Sequence, residues 1–285
     1  MAQIFDSRAC FLGEGPLWHP ERGQLFWFDI INRTLLTRSG AAEQSWTFDD
    51  MVSAAGWIDS THLLVAGETA LRVIDIESGT HAVAAQLDLG EGRRTNDGRA
   101  DPWGGFWFSS MGKKAQTGAG AIYRFYRGGV TKLFDAITIP NAICFSPDRG
   151  FAHFADTEPS IVMRVALDAE TGAPVGEPEI YLDLATEGLN PDGAVIDAQG
   201  NFWVAQWGAG RVACYDQRGT FVRAVAVGAP HSSGPAFGGP DLTTLYCTTA
   251  QEGMDAQALA AAPDAGKVFA VEGVGKGQPE PRVVL

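Results

Sequence analysis

The chain has 285 residues, of which 45% are apolar and 19% are charged, a composition typical of a folded globular protein. Its formal net charge of −13 would repel a phosphate backbone, which argues against DNA or RNA as a partner. No stretch approaches the roughly 20 apolar residues that cross a bilayer, which argues against a membrane partner. The first residues lack the basic and apolar run of a signal peptide, and the cysteines are far apart. We therefore expect free thiols and a cytoplasmic location.

A pattern of strand, turn and second strand recurs along the chain. Each second strand is led by apolar residues, and the turns before it contain Gly, Pro or Asp. The six second strands read 25–28, 63–65, 106–108, 152–154, 202–204 and 245–247. They begin about 38 to 50 residues apart, and a period of roughly 40–50 residues is typical of the blades of a β-propeller.

This repeat predicts an all-β fold, namely a six-bladed β-propeller with four-stranded antiparallel blades. Further strands follow in each unit, for example at 71–76 and 122–125. Only residues 255–262 have a helical pattern, and that segment is short. Because the six units fill residues 1–285, we expect a single propeller domain without a linker.

The first strands of a propeller line its central channel, so equivalent positions on these strands meet around the axis. The positions ten or eleven residues before the second strands are Glu14, Ser53, Asn96, Asn141, Asp192 and Gly234. None of these residues is apolar, and four of the six carry a carboxylate or a carboxamide. Asn and Asp beside Gly or Pro are commonly plain turn residues, but turns do not explain why several blades agree. Such oxygens on one axis are typical of a site for Ca²⁺, Mg²⁺ or Mn²⁺.

Six short motifs follow one another over essentially the whole chain. They are LGEGP at 12–16, RTNDGR at 94–99, IPN at 139–141 with SPD at 146–148, PDG at 191–193 with ID at 196–197, FGGPDL at 237–242 and LY at 245–246. In these motifs the sequence resembles the SMP-30/gluconolactonase/regucalcin family, and especially its bacterial sugar-lactone lactonases. The resemblance implies a metal-dependent lactonase, a carboxylic ester hydrolase that opens a sugar (aldono) lactone to the aldonic acid. Glucono-, xylono- and arabinonolactone are examples of such substrates.

The resemblance also implies a site. The family's metal is held by the Glu of the first motif, the Asn of the third and the Asp of the fourth, which are Glu14, Asn141 and Asp192 here. Arg94 and Asn96 match family residues that contact the substrate. We expect Asp97, beside them, to contact water or substrate.

The expected chemistry needs one divalent metal ion to stabilise the negative charge that develops on the lactone carbonyl oxygen. Asp192 is the candidate catalytic base, because a carboxylate at the metal lies within reach of a water proton. We expect Ca²⁺, while Zn²⁺, Mn²⁺, Fe²⁺ and Mg²⁺ also suit oxygen ligands. The sequence does not distinguish among sugars or oligomeric states.

Two positions depart from the family pattern. Ala142 follows Asn141 where many relatives have Gly, a change that we expect to leave the ligand intact. The loop 111–120 carries Lys113 and Lys114 where animal members place an acidic residue near the substrate. We expect this loop to form part of a lid over the substrate and to influence which lactone is preferred.

Other functions were weighed against a lactonase. A serine hydrolase is disfavoured because no GxSxG motif surrounds any serine, and the scattered histidines form no HExxH motif. A non-catalytic Ca²⁺-binding regulatory propeller is one alternative, and an aryl esterase or phosphotriesterase-like hydrolase is another. The presence of Arg94 and Asn96 beside the metal set favours a hydroxyl-bearing substrate. Trp207 is a candidate for a pocket wall.

Overall fold

The structure is a computed structural model that describes residues 2–285. Within these residues, 24 strands form six four-stranded antiparallel sheets, which confirms the predicted six-bladed β-propeller. The first strand of the chain is β1 (Gln3–Asp6). The next four strands, β2 (Gly13–His19), β3 (Gln24–Asp29), β4 (Thr34–Ser39) and β5 (Ala42–Thr47), form blade 1. Blade 2 consists of β6 (Val52–Trp57), β7 (His62–Gly67), β8 (Ala70–Asp75) and β9 (His81–Gln86).

Blades 3 to 6 follow in chain order. Blade 3 consists of β10 (Arg93–Ala100), β11 (Phe106–Gly112), β12 (Gly120–Tyr126) and β13 (Gly129–Ile137). Blade 4 consists of β14 (Pro140–Phe145), β15 (Phe151–Asp156), β16 (Ile161–Leu167) and β17 (Pro174–Asp183). Blade 5 consists of β18 (Asn190–Ile196), β19 (Phe202–Trp207), β20 (Arg211–Tyr215) and β21 (Phe221–Ala226). Blade 6 contains β22 (Ser232–Gly238), β23 (Thr244–Thr249) and β24 (Val268–Glu272).

The N-terminal strand β1 completes blade 6, a closure that the repeat pattern alone did not predict. It pairs antiparallel with β24, with Gln3 opposite Ala270 and Ile4 opposite Phe269. The innermost strands of neighbouring blades pack against one another all round the channel. The ring is therefore held shut by backbone hydrogen bonds between the two ends of the chain.

Burial follows the strand order within each blade. The second strands are apolar on both faces because each blade is packed between two others, so β3 is buried at every residue. Trp27, Trp107 and Trp203 lie on second strands and are fully buried between one blade and the next. The outermost strands face solvent, and both β5 and β21 are almost entirely exposed.

Short helices occupy only two places in the described chain. A 3₁₀ turn covers Ala185–Glu187, and α1 (Ala256–Ala261) lies in the predicted helical segment. The Asp255 side chain caps α1 by accepting a hydrogen bond from the Ala258 N–H. No helix within residues 2–285 is long and apolar enough to cross a membrane.

The C-terminal tail, residues 277–284, runs across the mouth of the channel opposite the strand ends described below. The Gln278 side chain donates to the carbonyls of Phe145 and Ile196, at 2.8 and 3.1 Å. Glu280 pairs with the guanidinium of Arg99, which lies on the inner strand β10. Val283 is completely buried in the core between blades 2 and 3. The tail therefore packs against this mouth of the channel and inserts Val283 into the core, while other tail residues such as Val284 stay exposed.

Candidate active site

Each inner strand carries a β-bulge at the positions that the sequence repeat selected. The ladder with the second strand shifts register between Glu14 and Leu17, between Asn141 and Cys144, and between Pro191 and Ala194. A bulge adds a residue to one strand and turns side chains away from the regular alternation. At these bulges the polar side chains are turned toward the mouth of the channel.

The backbone after two of these residues adopts a left-handed conformation. Gly15 has φ of +55°, and a β-carbon there would lie 2.2 Å from the Ser53 carbonyl oxygen, so only glycine fits. Ala142 has φ of +57°, a region that glycine enters freely and alanine enters at a cost of about 1–2 kcal/mol. This conformation explains why glycine suits the position after Asn141 and why the small alanine is tolerated.

One cavity of about 540 Å³ opens at this mouth, and it brings together five of the six residues predicted for the site. Those lining it are Glu14, Arg94, Asn96, Asn141 and Asp192. All but Glu14 are more than 90% buried, so their polar groups face the cavity from an otherwise packed wall.

The amide and guanidinium groups form a connected hydrogen-bond chain. Arg94 Nη1 donates to Asn96 Oδ1 at 2.7 Å, and Asn96 Nδ2 donates to Asn141 Oδ1 at 2.9 Å. On its other side, Asn141 Nδ2 donates to Thr157 Oγ1 at 2.8 Å. These contacts fix which edge of each amide faces the cavity.

Glu14 and Asp192, the two carboxylates predicted as metal ligands, accept no hydrogen bond from a cationic side chain of the described residues. Burial raises the pKa of Glu14, and the charge of Asp97 raises it further. The pKa of Asp192 is raised by burial and then by the charge of Glu14. Burial also lowers the pKa of Arg94, whose Nη1 donates to both Asn96 Oδ1 and the Thr95 carbonyl. The raised pKa values mean that both carboxyl groups tend to hold protons when no cation is bound, and that a positive charge beside them would favour their ionised forms.

These donors suit a hard cation. Within residues 2–285, no three His, Cys, Asp or Glu side chains come together as a metal site. The donors here are two carboxylates, from Glu14 and Asp192, and the carboxamide of Asn141. Oxygen ligands of this kind, with open positions left for water, fit Ca²⁺, Mg²⁺ or Mn²⁺.

Asp97 lies elsewhere than the sequence analysis expected. It is absent from the lining of the large cavity and faces a small void deeper in the channel. Its two carboxylate oxygens accept the N–H groups of Gly98, at 2.8 Å, and Ile143, at 2.7 Å. Successive residues of a bulge point in different directions, which separates Asp97 from Asn96. Asp97 therefore ties blade 3 to blade 4, and it does not line the large cavity.

The loop 111–120 forms part of the cavity wall through its first half. Met111, Lys113, Lys114 and Ala115 line the cavity. Lys113 Nζ lies 2.6 Å from Glu68 Oε1, an ion pair that joins the loop of blade 3 to the neighbouring loop of blade 2. Lys114 is exposed and makes no ion pair within the described residues.

A second ring of residues, which the positions selected from the repeat do not include, also lines the cavity. They are Ile31, Glu158 and Glu252, which join Lys113 and Trp207 just after the second strands or at their ends. Because adjacent strands are antiparallel, the second strand of a blade ends at the mouth where its first strand begins. The same spacing rule, extended about five to seven residues beyond each second-strand start, would have found them.

One side of the cavity is apolar. Leu12, Ile31, Met51 and Trp207 lie on this wall, and all four belong to or pack against the same core cluster. The Trp207 indole is stacked on the His231 imidazole, with centroids 4.3 Å apart and planes 16° from parallel. We call these four residues the apolar wall.

By its architecture the protein is a six-bladed propeller with a polar cavity at one mouth of its channel. Residues 12–251 match the family model described as the SMP-30/Gluconolactonase/LRE-like region, and the chain belongs to this family. It is 42% identical over 281 residues to a provisionally named sugar lactone lactonase of Rhizobium meliloti, covering 98% of this chain and 96% of that protein. It is 34% identical to pentonolactonase XacC of Haloferax volcanii, covering 98% and 97% of the two chains.

A solved structure shares the whole architecture. The crystal structure of a calcium-binding protein, regucalcin, from Agrobacterium tumefaciens strain C58 superimposes with a TM-score of 0.97. Its sequence is 39% identical, and the match covers 100% of this chain and 98% of that chain.

Proposed function

We propose that this protein hydrolyses a sugar lactone with the help of one divalent cation held by Glu14, Asn141 and Asp192. The observation that carries the proposal is that one buried carboxylate, from Asp192, and one half-buried carboxylate, from Glu14, share a cavity with a carboxamide and with Arg94. The relatives named as sugar lactone and pentono-lactone hydrolases support the reaction class, and the relative titled as calcium-binding supports the cation.

A cation would also offset the electrostatic repulsion between the carboxylates of the site. Burying two mutually repelling carboxylates is costly unless a positive charge offsets them. Arg94 supplies one such charge, but its guanidinium donates to the neighbouring amide and carbonyl and makes no direct contact with either carboxylate. We propose Ca²⁺ as the ion, with Mg²⁺, Mn²⁺, Zn²⁺ and Fe²⁺ as competitors that the same oxygens accept. When bound, the ion supplies Lewis-acid stabilisation of the charge that develops on the lactone carbonyl oxygen.

The protein side chains then have separate tasks. Arg94 and Asn96 bind and orient the sugar hydroxyls, Arg94 as a donor and Asn96 as donor and acceptor. Asp192 takes the proton of the attacking water on one carboxylate oxygen while the water oxygen bonds to the carbonyl carbon. The carbonyl then re-forms as the ring C–O bond breaks, the ring oxygen takes up the proton that Asp192 accepted, and the aldonic acid leaves. The apolar wall keeps bulk water away from one side of the substrate.

A second candidate substrate class follows from the apolar wall. A sugar hydroxyl placed against Leu12, Ile31, Met51 or Trp207 would lose its hydrogen bonds to water without replacement. The wall suits C–H surface, such as a sugar ring face on an indole, and it also suits the apolar group of an aryl ester. A substrate panel containing aldonolactones and an aryl ester decides between the two classes.

The experiment compares the hydrolysis of aldonolactones by metal-stripped protein with each ion added back. We expect Asp192→Asn to lose nearly all kcat even at saturating metal, because the amide cannot accept the proton. Glu14→Gln is the matched control, since it removes the same charge from the site and leaves the base in place. Asn96→Ala should mainly raise KM. Equal turnover by the two metal-saturated carboxylate variants would show that Asp192 is not the base, and wild-type turnover without any ion would refute the metal.

We also infer that the protein works in the cytoplasm. Its four cysteines are buried free thiols, as a reducing compartment permits.

A further inference from the structure

For each proposed metal ligand, a hydroxyl group of another blade lies within hydrogen-bond distance of the backbone carbonyl immediately before the ligand. Ser233 Oγ donates to the Gly13 carbonyl at 2.5 Å, one residue before Glu14. Ser109 Oγ lies 3.2 Å from the Pro140 carbonyl, one residue before Asn141, and 3.1 Å from the Asp97 carbonyl of its own blade, so these two carbonyls share its one hydrogen. Thr157 Oγ1 donates to the Pro191 carbonyl at 2.7 Å, one residue before Asp192.

Each of these contacts crosses from one blade to the next. Ser233 joins blade 6 to blade 1, Ser109 joins blade 3 to blade 4, and Thr157 joins blade 4 to blade 5. The strands that they reach are those in which the bulges interrupt the regular ladder at the ligands. The hydroxyls thus support the ligand-bearing segments where ladder hydrogen bonds are lost.

A hydrogen bond to the carbonyl just before a ligand residue strongly limits the direction of that ligand residue. A peptide unit is planar, so fixing that carbonyl oxygen also fixes the direction of the ligand residue's own N and Cα. A hydroxyl on a buried strand of the neighbouring blade therefore limits how far the ligand backbone can swing. Ser109 and Ser233 are completely buried, which gives both contacts a fixed setting.

Thr157 does more than hold a carbonyl. A hydroxyl has a single hydrogen, and in Thr157 that hydrogen is given to the Pro191 carbonyl. Toward Asn141 the hydroxyl can then only accept, so Asn141 presents its Nδ2 to Thr157, at 2.8 Å, and its Oδ1 to the cavity. Thr157 thereby favours the amide orientation that offers oxygen, the atom that a cation needs, and Asn96 favours the same orientation by donating to Asn141 Oδ1 at 2.9 Å.

We propose that Ser109, Thr157 and Ser233 are positioning residues for the cation site. Each belongs to one blade and holds the ligand-bearing segment of the next blade. This inference rests on the proposed metal ligands. The competing explanation is that the three hydroxyls only join blades, in which case their loss would affect stability alone.

The decisive experiment measures Ca²⁺ binding to metal-stripped protein by calorimetry, together with thermal unfolding. Thr157→Val keeps the side-chain shape and removes the hydroxyl. We expect it to raise the Ca²⁺ dissociation constant by about 10-fold or more, the effect typical of losing a group that orients a ligand. Thr157→Ser should restore wild-type affinity to within about threefold, because the hydroxyl returns.

A matched control is available on the outer part of blade 1. Thr37 is completely buried and donates to the Leu25 carbonyl at 2.6 Å, so Thr37→Val also removes one hydroxyl-to-carbonyl contact. It should lower the unfolding temperature while Ca²⁺ affinity stays within about twofold of wild type. Ser109→Ala and Ser233→Ala should weaken Ca²⁺ binding as Thr157→Val does.

The possible failures are distinguishable. If wild type binds Ca²⁺ and Thr157→Val binds it equally well, the positioning role is wrong while the metal site stands. If Asp192→Asn binds Ca²⁺ as tightly as the wild type does, the proposed ligand set fails and the positioning role fails with it.

Discussion

The contact between the C-terminal tail and the channel allows a quantitative test. Glu280 and Arg99 form an ion pair with side chains only 9% and 15% exposed. In the Glu280→Gln variant the guanidinium stays buried without its full counter-charge. Removing one partner of a buried pair costs about 3–5 kcal/mol. Asp97 remains near Arg99 and offsets part of the loss, so we expect the lower end, about 3 kcal/mol.

This free energy corresponds to a measurable shift in melting temperature. An unfolding entropy of about 2.1 cal/mol/K per residue gives about 0.6 kcal/mol/K for this chain, so 3 kcal/mol lowers Tm by about 5 °C. Replacing both partners by Met should recover most of this loss, because the buried charge is then gone. Differential scanning fluorimetry or calorimetry would measure both variants.

The matched control is an ion pair at the surface of blade 4. Arg164 and Glu179 lie 2.5 Å apart, but their side chains are 27% and 62% exposed. Glu179→Gln should therefore cost less than about 1 kcal/mol. A Glu280→Gln variant no less stable than Glu179→Gln would refute the view that the tail is locked by a buried charge.

Three further predictions concern pH, the metal and the loop. Burial lowers the pKa of His153 from 6.5 to about 3, so the folded protein resists protonation there and loses stability as the pH falls from 6.5 toward 3. His153→Gln should reduce the loss between pH 7 and pH 5, seen in urea unfolding, by about 2 kcal/mol. Ca²⁺ at about 100 times the wild-type dissociation constant should stabilise the wild type by about 2.7 kcal/mol in thermal unfolding and should stabilise Asp192→Asn much less, because this variant binds the ion more weakly. Equal stabilisation of both would contradict the ligand set. Lys113→Met, which breaks the pair with Glu68, should change KM and the order of preferred lactones in kinetic assays, while calorimetry shows unchanged Ca²⁺ affinity. A collapse of metal affinity would make the loop structural.

Much of the architecture was predictable because a propeller repeats its hydrophobic pattern. The starts of the second strands, and from them the positions of Glu14, Asn96, Asn141 and Asp192, follow from the repeat alone. That the chain forms a single domain stays a prediction, one that agrees with the pairing of β1 and β24.

What the sequence did not predict has physical causes. Strand β1 is four residues long and pairs with a strand more than 260 residues away, so no turn in the nearby sequence indicates this pairing. Asp97 lies outside the lining of the large cavity because a bulge changes side-chain direction between neighbouring residues, and the spacing of residues along the sequence does not reveal that change. Thr157 lies outside any strand, and its role depends on contacts with two other segments. The C-terminal tail has no repeat partner at all.

The way the ring is closed has a consequence for how the protein is made. Strand β1 is synthesised before its partner β24, which begins at Val268, more than 260 residues later. At about 5–20 residues per second, roughly 13–50 s pass between the synthesis of β1 and that of the strand with which it pairs. During this time blade 1 lacks the neighbour that later covers Trp27. A nascent chain therefore exposes an unpaired strand edge and an apolar blade face until β24 has been made, and chaperones that shield such surfaces have this interval in which to bind blade 1.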